Sequence, residues 1–249
     1  IENPKMNLDD YLKVIRADLR EMTAYPVQHA SGMVKLDAME NPYRLPPWLR
    51  TEISDVIEEA EINRYPDPEA PALKISLRKL MEVPDCCDLI LGNGSDEIIS
   101  MLANAVAGPE AVIMSISPTF VMFKVSTLVA RARYVGVSVD PDFSLNAGRF
   151  VDAMAQHRPA VVFIAYPNNP TGNLFDENAI ELIIKAAPGL VVIDEAYHVF
   201  AKRSFMSRLP EFPNLMVMRT LSKLGLAGLR LGYAAARPEW LREVDKVRG

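Results

Sequence analysis

Seven apolar runs of strand length, most of them separated by segments with helical spacing, constrain this chain more than any other feature. The runs cover 88–91, 111–115, 133–139, 160–166, 190–193, 215–218 and 231–235. Helical patterns occupy 96–107, 119–130, 147–157 and 176–187. The runs are continuous rather than alternating, as expected of strands buried on both faces. The sequence therefore predicts an α/β three-layer sandwich around a mainly parallel seven-stranded sheet. In open sheets of this kind ligands bind beyond the carboxyl ends of the strands. The residues that follow each run are the place to look for chemistry.

Upstream of the runs the pattern is different. Tyr11, Leu12, Val14, Ile15 and Leu19 recur at helical spacing, which predicts a helix over 9–24. Prolines at 26, 42, 46 and 47 exclude a helix through the stretch that follows. Further helices are expected after Pro47, ending near Ala60, and over 71–81, with a turn at 63–68 between them.

Composition narrows the function classes. The 249 residues carry a net charge of -5, so no basic balance exists to neutralise nucleic-acid phosphates. The two cysteines, Cys86 and Cys87, are adjacent and give neither a disulfide framework nor a zinc spacing. A reducing, cytoplasmic setting is the default expectation, and no apolar run approaches a membrane span. Position 1 is Ile and the N-terminal residues do not form a signal peptide, so a trimmed start is expected.

Several strand ends carry special residues. Gly92-Asn93-Gly94-Ser95-Asp96-Glu97 opens a helix, and its glycines and first-turn N–H groups suit a phosphate. A plain tight turn capped by Ser95 or Asn93 explains the same residues. The stretch is neither the dinucleotide fingerprint nor the Walker A loop, which ranks a dinucleotide oxidoreductase low. Phe120 can stack on a planar ring or serve the core. Tyr166-Pro167-Asn168-Asn169-Pro170-Thr171-Gly172 sets two amides between prolines, a polar turn or an amide aimed at a ligand oxygen. Asp194 ends an apolar run, where a carboxylate is costly unless a cation pairs with it. A protonated heterocyclic nitrogen is one such cation; a helix cap is the competing role. Tyr197 can reach the same place, and His198 reads as structural, with no metal site expected.

The stretch from Arg219 to Arg230 holds Lys223 among hydroxyls and small apolar residues. With Arg219 and Arg230 near it, desolvation and like charge would lower the lysine pKa and release a nucleophilic amine. Thr220 and Ser222 supply hydroxyls, and Arg230 a fork that fits phosphate. A glycine-containing surface turn is the bland alternative.

Asn-Asn-Pro-Thr-Gly at 168–172, Asp-Glu-Ala-Tyr at 194–197 and Ser222-Lys223 with Arg230, in this order, resemble the fold-type-I pyridoxal-phosphate-dependent aminotransferases. Leu36-Asp37, Glu40-Asn41-Pro42-Tyr43, Arg64-Tyr65-Pro66, 92–97 and 219–223 are similar to the branch acting on histidinol phosphate. The resemblance runs from about Tyr25 onward. It implies a pyridoxal 5'-phosphate cofactor and amino transfer between histidinol phosphate and 2-oxoglutarate. It implies that Lys223 carries the cofactor and shuttles a proton, that Asp194 holds the pyridine nitrogen protonated, and that Asn169 and Tyr197 bond the ring oxygen. Phe120 falls where the family stacks an aromatic on the ring. Ser95, Asp96, Thr220, Ser222 and Arg230 fall at the cofactor phosphate. Tyr65 resembles a tyrosine reaching the phosphate of a partner subunit, which implies a homodimer. Tyr25 and Asn41 are the substrate-side candidates.

The resemblance also implies an N-terminal arm with part of a small domain over 1–45, a large cofactor-binding domain over 46–236, and the start of an incomplete C-terminal small domain at 237–249. Met39 stands where the family pattern has Asn, and the interval from Lys223 to Arg230 is one residue shorter than in many aminotransferases. The family's arginine for the substrate carboxylate lies in a further C-terminal part. Another aminotransferase, a decarboxylase of a phosphorylated amino acid, and a cofactor-binding but inactive fragment share the same motifs.

Overall fold

The computed structural model describes residues 7–23 and 31–249. Tyr25 lies outside the described residues. The chain forms two compact units, Ile1–Ala38 and Met39–Gly249.

In the first unit, α1 (Leu8–Leu12) starts at Asn7, whose side chain accepts the Asp10 amide while Asp10 returns the bond. A second short helix, α2 (Ala17–Glu21), follows after Arg16 takes an extended conformation. The single helix expected over 9–24 is thus two pieces. Tyr11, Leu12, Val14 and Ile15 remain exposed, and short helices without a packed face have little to sustain them.

The second unit begins with α3 (Pro47–Glu59) and α4 (Pro71–Leu80), each with proline in its first turn. The α/β part then runs β1 (Asp88–Asn93), α5 (Ser95–Ala105), β2 (Val112–Ser117), α6 (Val121–Val129), β3 (Arg133–Ser138) and α7 (Ala147–His157). It continues through β4 (Val161–Ala165), α8 (Glu177–Ala186), β5 (Leu190–Asp194), β6 (Leu215–Thr220), β7 (Leu231–Ala236) and α9 (Pro238–Asp245). The seven strands form one sheet in the order β1-β7-β6-β5-β4-β2-β3. Strand β7 is antiparallel to both its neighbours, and every other pairing is parallel.

Each strand sends alternate side chains to two apolar layers, because successive Cβ atoms point to opposite faces. Met114, Val162, Val191, Ile193 and Val217 join Phe150 and Met154 of α7 and Ile180 and Ile184 of α8. Ile113, Phe163, Val192, Met216 and Met218 join Ile98 and Leu102 of α5 and Phe123 of α6. The sheet is therefore covered on both sides, which is why its strands read as unbroken apolar runs. Leu241 and Val244 of α9, within the 237–249 segment that the resemblance assigns to the start of a C-terminal small domain, lie in this second layer.

Candidate active site

At the carboxyl end of β1 the chain turns into α5 through Gly94, which has φ +77. A Cβ there would meet Arg230 Nη2 at 2.5 Å, and the Gly94 amide donates to the Arg230 carbonyl at 2.6 Å. On the neighbouring strand, a Cβ at Gly232 would collide with the Gly94 carbonyl carbon and the Ser95 nitrogen. Gly94 itself occupies the helix cap without a side-chain bond. Neither Ser95 nor Asn93 is the cap; the Asn93 amide is instead held by Glu97 Oε2 at 2.6 Å. Arg230 lies 3.8 Å from Asp96, both side chains half exposed. Ser95, the first amides of α5 and the Arg230 fork are thus gathered where an anion would be bound.

Strand β6 delivers the lysine. Thr220 is buried, donates to Ser222 Oγ at 2.9 Å and accepts the Ser222 amide at 3.2 Å. Lys223 follows on a single 3-10 turn, half-buried, with Nζ 5.5 Å from the centroid of the Tyr197 ring. Gly225, at φ +104, closes that turn; a Cβ there would sit 2.6 Å from Asn41 Nδ2. Asn41 therefore rests against the lysine loop. Arg219, expected beside Lys223, is instead committed to Glu195, with Nη2 2.8 Å from its carboxylate.

Asp194 is the last residue of β5 and 3% exposed. Its Oδ1 accepts the Ala196 amide at 3.0 Å. Burial, and then the charges of Asp96 and Glu195, push its carboxyl up to about 7. Among the described residues no cation is paired with it. The helix-cap alternative reduces to that one Ala196 bond, since the turn after it is a short 3-10 segment, His198–Phe200. His198 is structural, as expected: Nδ1 lies 3.1 Å from the Glu195 carbonyl. Burial and the Arg219 charge push its ring down to about 4.

The amide pair at 168–169 divides its labour. Asn168 is buried and ties two loops together, accepting from Thr119 Oγ1 at 3.0 Å and donating to the Pro118 carbonyl at 3.1 Å and Thr171 Oγ1 at 2.7 Å. Asn169 instead lines an open cavity of 320 Å³ together with Tyr197 and Met39. Phe120, adjacent to Thr119, is half-buried at the start of α6 and packs edge-on to Phe123 at 5.7 Å. Tyr65 is fully exposed on the turn after α3.

The structure thus brings Asn169, Tyr197 and Lys223 to one end of the sheet, and Asp194, Asp96, Ser95 and Arg230 to its neighbouring strand ends. The Glu195 and Arg219 pair was missed as a feature. Its signal was present: Arg219 interrupts the apolar strand β6, and a second acid follows Asp194.

Fold and site together define an aminotransferase-type α/β chain. Residues 31–249 match the family described as aminotransferase class I and II, and the chain belongs to that family. It is 55% identical over 241 residues to histidinol-phosphate aminotransferase 2 of Cupriavidus pinatubonensis, covering 95% of this chain and 66% of that protein. It is 53% identical over 248 residues to histidinol-phosphate aminotransferase 1 of Ralstonia nicotianae, covering 97% and 66% respectively. Its fold is similar to the crystal structure of histidinol-phosphate aminotransferase from Sinorhizobium meliloti in complex with pyridoxal-5'-phosphate. That match has a TM-score of 0.79 at 24% identity and covers 91% of this chain and 64% of that one. The chain spans about two thirds of the length of the curated relatives it matches.

Proposed function

We propose that this chain carries the cofactor site of a pyridoxal-phosphate-dependent transaminase. Its reaction is histidinol phosphate with 2-oxoglutarate, giving imidazole-acetol phosphate and glutamate. The observation that carries the reading is Asp194. A carboxylate 3% exposed, with no cation paired among the described residues, sits one strand from the lysine loop. A protonated pyridine nitrogen would supply the missing charge.

The surrounding residues fit the same group. Ser95, the first amides of α5, Thr220, Ser222 and Arg230 would hold its phosphate, and Asn169 and Tyr197 its ring oxygen. Phe120 would cover the ring. Asp194 would hold a proton on the ring nitrogen, and Lys223 Nζ would bind the cofactor and, once released by the substrate amine, take the proton from the carbon that bears the amino group. When bound, the cofactor would supply an electron sink for the charge left on that carbon and carry the amino group from the amine donor to the 2-oxo acid. Asn41, against the lysine loop, would face the substrate; Tyr25, outside the described residues, is a substrate-side candidate on the resemblance alone.

The 46–236 segment is the large cofactor-binding part in this reading. A homodimer is part of the proposal, supported by the full exposure of Tyr65, a large ring that nothing among the described residues covers. A cytoplasmic setting is supported by two unbridged thiols, Cys86 and Cys87; no described helix is long and apolar enough to cross a membrane.

The test is absorbance. Pyridoxal phosphate added to the parent chain is expected to give the visible band of a lysine-bound cofactor, and Lys223→Ala is expected to lack it. An identical band in both would reject the role of Lys223. Histidinol phosphate is then expected to bleach the band by giving up its amino group. It has no carboxyl group to lose, so the decarboxylase alternative is tested with a phosphorylated amino acid, where release of carbon dioxide in place of amino transfer would favour it.

A further inference from the structure

Glu195 and Arg219 form a buried ion pair that none of the roles above uses. Glu195 is 0% and Arg219 6% exposed. Glu195 Oε2 takes Arg219 Nε at 2.9 Å and Nη2 at 2.8 Å, and Ser204 Oγ at 2.9 Å. Its Oε1 takes the Phe205 amide at 2.6 Å. Arg219 Nη2 also donates to Ser204 Oγ at 2.8 Å. The carboxylate therefore receives donors on both oxygens, and the guanidinium uses two edges of its fork.

The position of the pair gives it meaning. Glu195 follows Asp194 directly, and Arg219 directly precedes Thr220. Alternation along the strands places Asp194 and Thr220 on the face shared by Val192, Met216 and Met218, toward α5. Glu195 and Arg219 fall on the opposite face, that of Val217 and Phe205. The backbone continues the link, since the Glu195 amide donates to the Met218 carbonyl at 2.8 Å. The pair thus ties two adjacent strand ends from beneath, one residue away from the acid on one strand and from the hydroxyl-lysine segment on the other. A buried ion pair is a weak source of net stability, because desolvation offsets most of its attraction. Fold stability alone therefore explains it poorly.

We propose that Glu195 and Arg219 are positioning residues. They lock the ends of β5 and β6 so that Asp194 and the segment from Thr220 to Lys223 address one ligand in a fixed geometry. The proposal rests on the cofactor reading above, and its test separates the two.

The test uses Glu195→Leu combined with Arg219→Met, which removes both charges and leaves no lone buried ion. Amide hydrogen exchange is followed at four sites. Ala196 is held by Asp194 Oδ1 and Ser222 by Thr220 Oγ1; Val192 and Met216 lie within their strands. The expected result is at least about tenfold faster exchange at Ala196 and Ser222, with Val192 and Met216 within about twofold of the parent. Pyridoxal phosphate, titrated into the same protein, is expected to bind at least about tenfold more weakly. Unchanged exchange at all four amides overturns the proposal. Uniform acceleration overturns it too, because it marks a pair that only holds the fold. Arg219→Lys keeps the charge but loses the fork and is the second variant, read in the same way if the double variant does not fold. The same two amides are expected to accelerate in it, and an unchanged pattern counts against the proposal. A parent chain that binds no pyridoxal phosphate overturns the cofactor reading instead, and the exchange pattern still decides the role of the pair.

Discussion

At the scale of single residues, the most informative group is Asp194. Its folded carboxyl titrates at about 7 against an ordinary 3.8. Between those values the folded chain binds more protons than the unfolded one, so stability falls as pH rises through this window. Above it the cofactor-free chain carries a penalty of up to about 4 kcal/mol from this residue. Asp194→Asn is therefore expected to stabilise the cofactor-free chain at pH 8, to leave it little changed at pH 4, and to weaken pyridoxal phosphate binding. Urea unfolding at the two pH values checks this, and an equal loss of stability in parent and variant on going to pH 8 contradicts it. His198 runs the other way. Its folded value of about 4 lies below the ordinary 6.5, so its contribution is present above 6.5 and lost as pH falls toward 4. Its ring proton resonances are expected to stay at their neutral positions at pH 5.5; a midpoint near 6.5 would remove the structural account of this histidine.

At the scale of elements, two joints hold the site together. One is the contact of β7 with the turn into α5. Gly232→Ala pushes a methyl into the Gly94 backbone and the Ser95 amide. It is expected to cost about 1–3 kcal/mol in unfolding experiments and to weaken phosphate binding, whereas full parental stability would show that the turn can yield. The other joint is Asn168, which links the 118–119 loop to the 168–173 loop. Asn168→Ala removes a buried amide and its three part-buried hydrogen bonds and is expected to cost about 1–3 kcal/mol. A denaturation midpoint equal to the parent's speaks against that role.

The same elements show what was legible in the sequence. The seven strands were readable because both faces of the sheet are covered, so apolar character runs unbroken. Their ends were not, because pairing continues into Asn93, Ser117, Asp194, Arg219 and Thr220. Those polar residues belong to the ladder while serving the site, so hydropathy stops before the strand does. The helix expected over 9–24 failed for a related reason. Its spacing was helical, but among the described residues Tyr11, Leu12, Val14 and Ile15 stay exposed and only Leu19 is half-buried. The places of Asp194 at the end of β5, of Lys223 just after β6 and of Arg230 just before β7 were readable from the apolar runs. The direction of Arg219 was not, because a one-residue step on a strand changes the face, and only the neighbouring Glu195 fixes which partner it takes.

At the scale of the whole molecule, the described chain gathers the candidate site residues at one end of the sheet and leaves several large apolar side chains exposed on α3 and the turn after it. Trp48, Val56, Ile57, Ile62 and Tyr65 are all exposed. Tyr65→Ala removes no buried contact and is expected to leave the unfolding free energy within about 0.5 kcal/mol of the parent. In the dimer reading it nevertheless weakens cofactor binding, since it would act on the other subunit's phosphate. Equilibrium sedimentation alongside the cofactor titration checks both halves, and undiminished affinity in a dimeric variant would end that assignment.

The central claim is that Lys223 and Asp194 serve one phosphorylated pyridine ring. The most direct measurement is titration of the chain with pyridoxal phosphate, with visible absorbance recorded for the parent, Lys223→Ala and Asp194→Asn. The account predicts a saturable visible band in the parent, no such band without the lysine, and a band in the Asn variant that requires more cofactor. A parent with no saturable band, or three indistinguishable titrations, would contradict it.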